Sequence, residues 1–396
     1  MRIHWLTSFT ILAAPLACDR PTALHAPTTV PFIKEAPPRG PRLITSATDT
    51  CLLRDVHTAT CVGSLALTFG LEARTETLGI GGMGLTALSS DGTINYWHSH
   101  SRPENNWIAL RGRARQVAHG GTHMCVIDSG RVACWGYNRS AQLGLENAID
   151  SVTPGSDTPF VNLDGTVIGL AAGMFHTCAL FEGGAVKCWG SNHEGQLGIQ
   201  GGSTRGSERG DMGAELPAVT LAEPAIAIAS GRTHSCALLA SKRVQCWGSN
   251  LHGALGGSPN VVDIAPTTFV ALGSSKVRVL AAGGHRTCAV LEDNTVKCWG
   301  RGDFGALGQG HTRSLGFSQA EMGDALPAVA LGSREPIVEI AMSDDHNCVL
   351  FESDRVKCWG RNHCGQLGVP GGDRGDDPGE MGESLPFADF GMEGRK

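Results

Sequence analysis

Residues 171–198 read AAGMFHTCALFEGGAVKCWGSNHEGQLG. Within them "HTCAL" and "AVKCW" are short apolar or alternating runs separated by Glu182-Gly183-Gly184, which is the signature of a β-hairpin. The pattern returns as ASGRTHSCALLASKRVQCWGSNLHGALG from Ala229, AAGGHRTCAVLEDNTVKCWGRGDFGALG from Ala281 and AMSDDHNCVLFESDRVKCWGRNHCGQLG from Ala341. The copy AHGGTHMCVIDSGRVACWGYNRSAQLG from Ala118 is one residue shorter, and two degenerate copies begin at Ser46 and Gly81. The tryptophan position is filled by Val62, Trp97, Trp135, Trp189, Trp247, Trp299 and Trp359, so the chain holds seven repeats.

A repeat changes what the length means. The 396 residues alone suggest two or three domains, but self-similarity makes them one array. A further strand, LPAVTLA at 216–222 or LPAVALG at 326–332, precedes the "IAxAxG" strand of the next long copy. Four short strands per unit and seven units predict an all-β, seven-bladed propeller. The ends of the chain favour a ring over a solenoid. The first repeat begins at LITSATDTC (43–51) without an "LPxVxL" strand, and a surplus copy, LPFADFG, follows the last repeat at 385–391. The expectation is that this C-terminal strand completes the first blade and closes the circle.

The pattern "GxxHTCAL…GxVxCWGxNxxGQLG" resembles the regulator of chromosome condensation repeat over residues 43–391, strongly in five copies and weakly in two. That resemblance implies a seven-bladed propeller. It also implies an alternative function, guanine nucleotide exchange on a small GTPase. Some secreted proteins similar to this family inhibit enzymes by covering the active site with a propeller face, so enzyme inhibition is a second form of binding.

Twelve of the 14 cysteines fall in six pairs: Cys51/Cys61, Cys125/Cys134, Cys178/Cys188, Cys236/Cys246, Cys288/Cys298 and Cys348/Cys358. The repeat without them has Thr86 and Tyr96 instead, losing both at once. A two-residue turn at Ser129-Gly130 places Cys125 opposite Cys134 in a non-hydrogen-bonded pair, near the short end of the disulfide range. The five longer spacings need a three-residue loop with a bulge. Six cross-strand disulfides are therefore expected, each closing about ten residues and worth about 2–3 kcal/mol. Zinc and redox chemistry are the rival readings, and C-x₂-C spacing is lacking for either. Cys364, in RNHCGQLG, is left over as an odd thiol, free or bridging two molecules.

The N-terminus reads as an export leader over residues 1–18: a basic start, an apolar run too short to span a membrane, and Pro15-Leu16-Ala17-Cys18. Ala-Cys resembles the lipobox of bacterial lipoproteins, which makes Cys18 the lipidation candidate, although Pro15 departs from that pattern. Residues 19–42, with six prolines, read as a spacer, 43–391 as the propeller and 392–396 as a tail. An extracytoplasmic, oxidising location follows, as a bacterial envelope lipoprotein or a secreted protein. Contact with a membrane runs only through a lipid at Cys18. A net charge of −6 gives no reason to expect nucleic-acid binding.

His123, His176, His234 and His346 stand two before the first cysteine of their repeats, where Asp49, Gly84 and Arg286 interrupt the series. Repeated packing explains this better than a metal or anion ring, and the recurrent tryptophan is read as core. No nucleophile elbow, zinc-protease helix, phosphate loop or dinucleotide fingerprint occurs, so no catalytic residue, metal or cofactor is assigned and no enzyme is expected. Variation between repeats is more informative. Tryptophan spacing is 38 residues from Trp97 to Trp135 but 54, 58, 52 and 60 thereafter, with the extra residues following the "GQLG" turn. Three insertions share a motif: RGSERGDMGAELP at 205–217, FSQAEMGDALP at 317–327 and DRGDDPGEMGESLP at 373–386. Insertions at one structural place project from one face, where repeat proteins bind. Arg209, Asp211, Glu321, Asp324, Arg374, Asp376 and Glu380 are the candidate binding residues. Their acidity suits a basic partner.

Arg-Gly-Asp recurs at Arg209, Arg301 and Arg374, and repeat-turn chemistry explains it better than adhesion. The acidic clusters lack calcium-loop spacing. Asn138-Arg139-Ser140 is a glycosylation sequon, meaningful only in a eukaryotic secretory host. The expected protein is a monomeric binding scaffold whose partner is a protein or a cell-surface glycan.

Overall fold

The computed structural model describes residues 43–391 apart from positions 56, 67, 72–74, 83, 99–105, 109–113, 148, 156, 259–261, 264 and 267. The expected leader, spacer, lipidation site Cys18 and tail lie outside the described residues. Within them the chain forms seven antiparallel sheets of three or four strands, with strands in sequence order in every sheet. The innermost strands are Leu43–Thr45, Thr75–Gly81, Ala114–His119, Val167–Ala172, Ala225–Ser230, Val277–Gly283 and Ile337–Met342. Each contacts the next, and the last contacts the first, which gives a ring of seven blades. Five tryptophans, Trp135, Trp189, Trp247, Trp299 and Trp359, are fully buried. Four of them donate their indole N–H to a carbonyl of the preceding blade's turn: Trp189 to Gln142, Trp247 to Gln196, Trp299 to Ala254 and Trp359 to Ala306.

The cysteine registers are as expected, but in blade one Asp55 pairs with Thr58 and the extra residue sits as a bulge between Leu53 and Asp55, in the strand and not in a three-residue loop. Asp128 pairs with Arg131 and Cys125 with Cys134 across Ser129-Gly130, both in positive φ (54° and 81°), as a type I′ turn requires. In blade four the Phe181 amide donates to Ala185, closing Glu182-Gly183-Gly184 with Gly184 at φ 90°. Lys242, Asn294 and Asp354 hold the same left-handed slot in later blades.

All six expected cysteine pairs are bonded. Cys51 joins Cys61, Cys125 joins Cys134 and Cys178 joins Cys188. In the later blades Cys236 joins Cys246, Cys288 joins Cys298 and Cys348 joins Cys358. In each case the two are direct register partners on the second and third strands of one blade. Their Cα–Cα distances of 4.0–4.1 Å fall below the expected short end of the range, roughly 4.4 Å, because the bond draws the non-hydrogen-bonded positions together. All twelve residues are buried, Cys61 and Cys246 retaining only 2% and 5% exposure. Among the described residues no cysteine is a free thiol, Cys364 included, which corrects the reading of that residue as a free thiol.

The "LPxVxL" strand belongs to the blade before it. The Val219 amide donates to Val186, Val329 to Val296 and Ala388 to Val356, so each segment is the outer edge of the hairpin that precedes it. Residues 385–391 accordingly lie along blade seven, whereas the outer strand of blade one is Thr68–Gly70. The C-terminal segment still serves the seam, by side-chain packing. Phe390 is buried with Leu43 and Leu52 of blade one and Cys348 and Val356 of blade seven, and its carbonyl accepts from Arg54. Pairing within one blade needs only the loop between third and fourth strands. An exchanged strand needs the two ends of the chain to meet first, at greater entropic cost.

Candidate interaction face

The slot histidines join blades. Nε2 of His123 lies 2.7 Å from Thr177 Oγ1, that of His176 2.8 Å from Ser235 Oγ and that of His234 2.9 Å from Thr287 Oγ1. His346 makes the same bond across the seam, 2.8 Å from Thr50 Oγ1. The hydroxyls of Thr177, Thr287 and Thr50 already donate to the carbonyls of Gln142, Ala254 and Gln366. A hydroxyl has one proton, so it accepts from the ring, and the histidine is the Nε2–H tautomer. Burial lowers the pKa of each of these histidines from 6.5 to about 3, leaving it neutral at pH 7. The motif Gly-x-x-His makes room for the ring: a Cβ at Gly173 would stand 2.0 Å from His176 Cε1. With Nε2 spent on the neighbouring blade and the ring wholly enclosed, this circle has no face for a metal or an anion.

The disulfide cysteines are enclosed as well. Cys61, Cys134, Cys188, Cys246, Cys298 and Cys358 lie on the third strands, each bonded to its second-strand partner and buried between blades. They hold the hairpins that carry the loops and contribute almost nothing to the surface.

His176 begins its strand opposite Gly190, which ends the next. The loop before each slot residue and the "GQLG" turn with its insertion therefore leave from the same edge of every blade, and the insertions share one face of the ring. They lie across the neighbouring blade as straps: the Glu146 amide donates to Gly206, Gly257 to Gly316 and Gly310 to Gly375. Met212, Met322 and Met381 tuck beneath against Gly144, Gly256 and Gly308. Lys187 and Lys297 donate to the carbonyls of Gly213 and Gly323.

Most candidate carboxylates are occupied by their own loops. Asp211 Oδ2 accepts the amides of Gly206, Ser207 and Glu208, Glu321 Oε2 those of Gly316 and Phe317, and Glu380 Oε2 those of Gly375 and Asp377. Burial raises the Glu380 pKa, but these amides and Arg374 outweigh it and hold the group below its ordinary range, while burial and the Glu380 charge push Asp376 up. Arg374 donates to the carbonyls of Pro370 and Asp373. Arg209 and Asp324 are exposed. The three Arg-Gly-Asp copies are thus not displayed for adhesion, since Asp211 is capped by amides, Arg301 is paired with Asp303 at 2.6 Å and Arg374 is folded onto its loop. Asn138 is buried, donating to Ile149 and accepting from Leu143, so the sequon has no free amide.

Sequence reasoning passed over a cluster of Arg232, Arg301, Arg361, Asp344 and Asp345 on the same face of blades five to seven. Its signal was departure from the repeat: Arg301 and Arg361 stand where Ser191 does, and Ser343-Asp344-Asp345-His346 replaces Gly-x-x-His.

The family model described as RCC1-like domain matches residues 64–385. The ultraviolet-B receptor UVR8 of Arabidopsis thaliana is 28% identical over 264 residues, covering 66% of this chain and 56% of UVR8. The chain thus spans just over half the length of that relative. The mitochondrial RCC1 domain-containing protein RUG3 of the same plant is 26% identical over 328 residues, 78% of this chain and 71% of RUG3. Among solved structures, human WBSCR16 aligns with a TM-score of 0.63 at 19% identity, covering 79% of this chain and 83% of that one. Yeast RCC1 (Prp20), solved bound to Kap60, aligns at 0.59 with 20% identity, covering 78% and 74%. With the blade count, the hairpin registers and a match over most of its length, the chain belongs to the family of RCC1-like domains.

Proposed function

We propose that this chain is an exported propeller that binds a protein partner through the face carrying its straps and inner loops. The observation that carries the reading is the gathering on one face of the insertions of blades four, six and seven and the arginine cluster of blades five to seven. Six buried disulfides support an oxidising, extracytoplasmic setting. Residues 1–18 then act as the export leader, with Cys18 as the lipid-bearing residue where the protein is retained at a membrane. Arg209 and Asp324, exposed on the straps, belong to the binding face; a cell-surface glycan is the other ligand class for it. Covering the active site of an enzyme is one form such binding takes. Exchange on a small GTPase is the second reading, supported by family membership alone, and a reducing compartment suits neither the cysteines nor the leader.

Cell fractionation with the intact, non-reduced mass of the mature protein tests the setting. An extracytoplasmic protein with six disulfides agrees with it, whereas a cytosolic, fully reduced protein overturns it. Partner capture by wild type and by Arg209→Ala/Asp324→Ala tests the straps: loss of the partner assigns them, and unchanged capture removes them from the interface.

A further inference from the structure

Blades five to seven break the repeat at one place on the ring. Arg232 Nη1 lies 3.6 Å from Asp344 Oδ2, while Asp345 takes Arg301 at 3.8 Å through one oxygen and Arg361 at 3.2 Å through the other. These separations exceed the roughly 2.7–2.9 Å of a well-formed charge-assisted hydrogen bond. The three arginines are each about one-third exposed, at 32%, 31% and 34%. Beneath them Arg286 is fully buried, donating to Ser343 O and Asn347 Oδ1. Four arginines thus face Asp303, Asp344 and Asp345, a local positive surplus in a chain of net charge −6.

The rim is apolar and aromatic. Phe304, partly exposed, holds a left-handed backbone at φ 59°, a conformation costly for a bulky residue and commonest at functional turns. The Arg361 guanidinium lies 4.6 Å from its ring centroid. His252 and His285 meet at 4.8 Å, and burial, reinforced by Arg301, keeps both pKa values low. Leu251 is 62% exposed on the blade five turn, and Phe317 is 43% exposed on the strap against it.

We propose that this face of blades five to seven binds an acidic segment of a partner protein, whose carboxylate takes the place of Asp345 between Arg301 and Arg361 while an apolar neighbour packs on Phe304 and Leu251. The inference rests on the protein-binding reading above and reverses the partner charge expected from the straps, because the carboxylates of Asp211, Glu321 and Glu380 are spent on backbone amides. Arginine and aromatic side chains together are the composition of protein hot spots. A polyanionic glycan or nucleic acid would meet three aspartates at the same place.

The test is a short fluorescein-labelled peptide of alternating Glu and Leu, followed by anisotropy, with an alternating Lys and Leu peptide and a heparin fragment as the other arms. Wild type is expected to bind the acidic peptide alone. Arg301→Ala/Arg361→Ala weakens binding at least about tenfold, as loss of a desolvated charge partner does, and Asp345→Asn tightens it several-fold by removing the carboxylate that competes for Arg361 and for the side of Arg301 turned away from Asp303. A structural role for Asp345 has no reason to give a gain. Unchanged affinity in the double variant, weaker binding by Asp345→Asn, no acidic-peptide binding, or tighter binding of heparin overturns the proposal, with unchanged thermal melts showing the variants folded. Capture of a natural partner that persists in Arg301→Ala/Arg361→Ala overturns this inference and leaves the scaffold reading standing. Absence of any partner for wild type overturns the scaffold reading itself.

Discussion

His176 Nε2 of blade four stands 2.8 Å from Ser235 Oγ of blade five, and both residues are enclosed. The buried ring is neutral at pH 7, so the bond links the second strands of adjacent blades without any charge. His176→Ala leaves a cavity and an unfilled partner, costing about 2–4 kcal/mol. Ser235→Ala leaves a buried ring nitrogen without its partner and costs about 1–3 kcal/mol. Urea unfolding of the single and double variants is expected to give a coupling of about 1 kcal/mol. Strict additivity would mean that the blades are held by packing alone.

The slot histidines, together with His119 at the end of the innermost strand of blade three, make the fold acid-sensitive. His119, His123, His176, His234 and His346 have pKa values of about 3 in the folded chain, through burial in every case, reinforced by a neighbouring histidine at His123, His176 and His234 and by Arg286 at His346, where Asp345 opposes it. Unfolded, each titrates near 6.5, so between about pH 6.5 and pH 3 the unfolded state binds more protons and stability rises with pH. The contribution is complete above the upper limit and is lost as pH falls through the window, by about 2 kcal/mol per histidine at pH 5. Urea midpoints measured from pH 7.5 to pH 4.5 should fall steeply, and His176→Gln should reduce the slope by about 1.4 kcal/mol per pH unit. A flat profile would show that these rings are protonated in the fold.

Reduction provides a third check. Cys178 and Cys188 are fully buried between strands, and Cys298 and Cys358 with their partners equally so. Dithiothreitol without denaturant is therefore expected to leave the six bonds intact and to reduce them together once urea opens the ring. Cys178→Ala/Cys188→Ala should cost about 2–3 kcal/mol. Rapid native-state reduction, seen as free thiols by alkylation and mass, would place the bonds at exposed edges instead.

What the sequence made legible followed from periodicity. Two-residue alternation set Cys125 opposite Cys134, and the missing pair at Thr86 and Tyr96 pointed to contact between the two positions, which are indeed register partners. The membership of the fourth strand was not legible, because residues 216–222 lie between two hairpins and spacing fits either; the Val219 to Val186 hydrogen bond decides it. The carboxylates of the insertions looked like binding groups because sequence shows charge but not direction. Asp211, Glu321 and Glu380 turn inward onto the amides of their own loops. The arginine cluster draws on three blades, and no local window contains it.

The straps have a stability role that is measurable apart from binding. Glu380→Ala releases the amides of Gly375 and Asp377 and loosens the segment whose Gly375 carbonyl accepts from Gly310. Hydrogen exchange should quicken at Gly310, Gly375 and Asp377, with a loss of about 1–2 kcal/mol. Unchanged protection at Gly310 would show that the strap is held by Met381 rather than by its carboxylate.

Blade two offers the sharpest test of how the repeat was altered. Thr86 and Tyr96 face each other where six blades carry a disulfide, yet restoring cysteine there meets a neighbour the other blades lack. His119 of blade three lies over Gly79, with Nε2 2.8 Å from Thr86 Oγ1; the equivalent residue in blade four is Ala172. Thr86→Cys/Tyr96→Cys should therefore oxidise in air, seen as the loss of two hydrogen atoms by mass, but gain little. The bond is worth about 2–3 kcal/mol, and a buried His119 N–H deprived of its acceptor costs about 1–3 kcal/mol. Adding His119→Ala restores the arrangement of blade four and should make the triple variant more stable than the double one, despite the smaller side chain. A double variant with the full disulfide gain would show that the Thr86 hydroxyl was never the partner that keeps His119 in place, and failure to oxidise would refute the register itself.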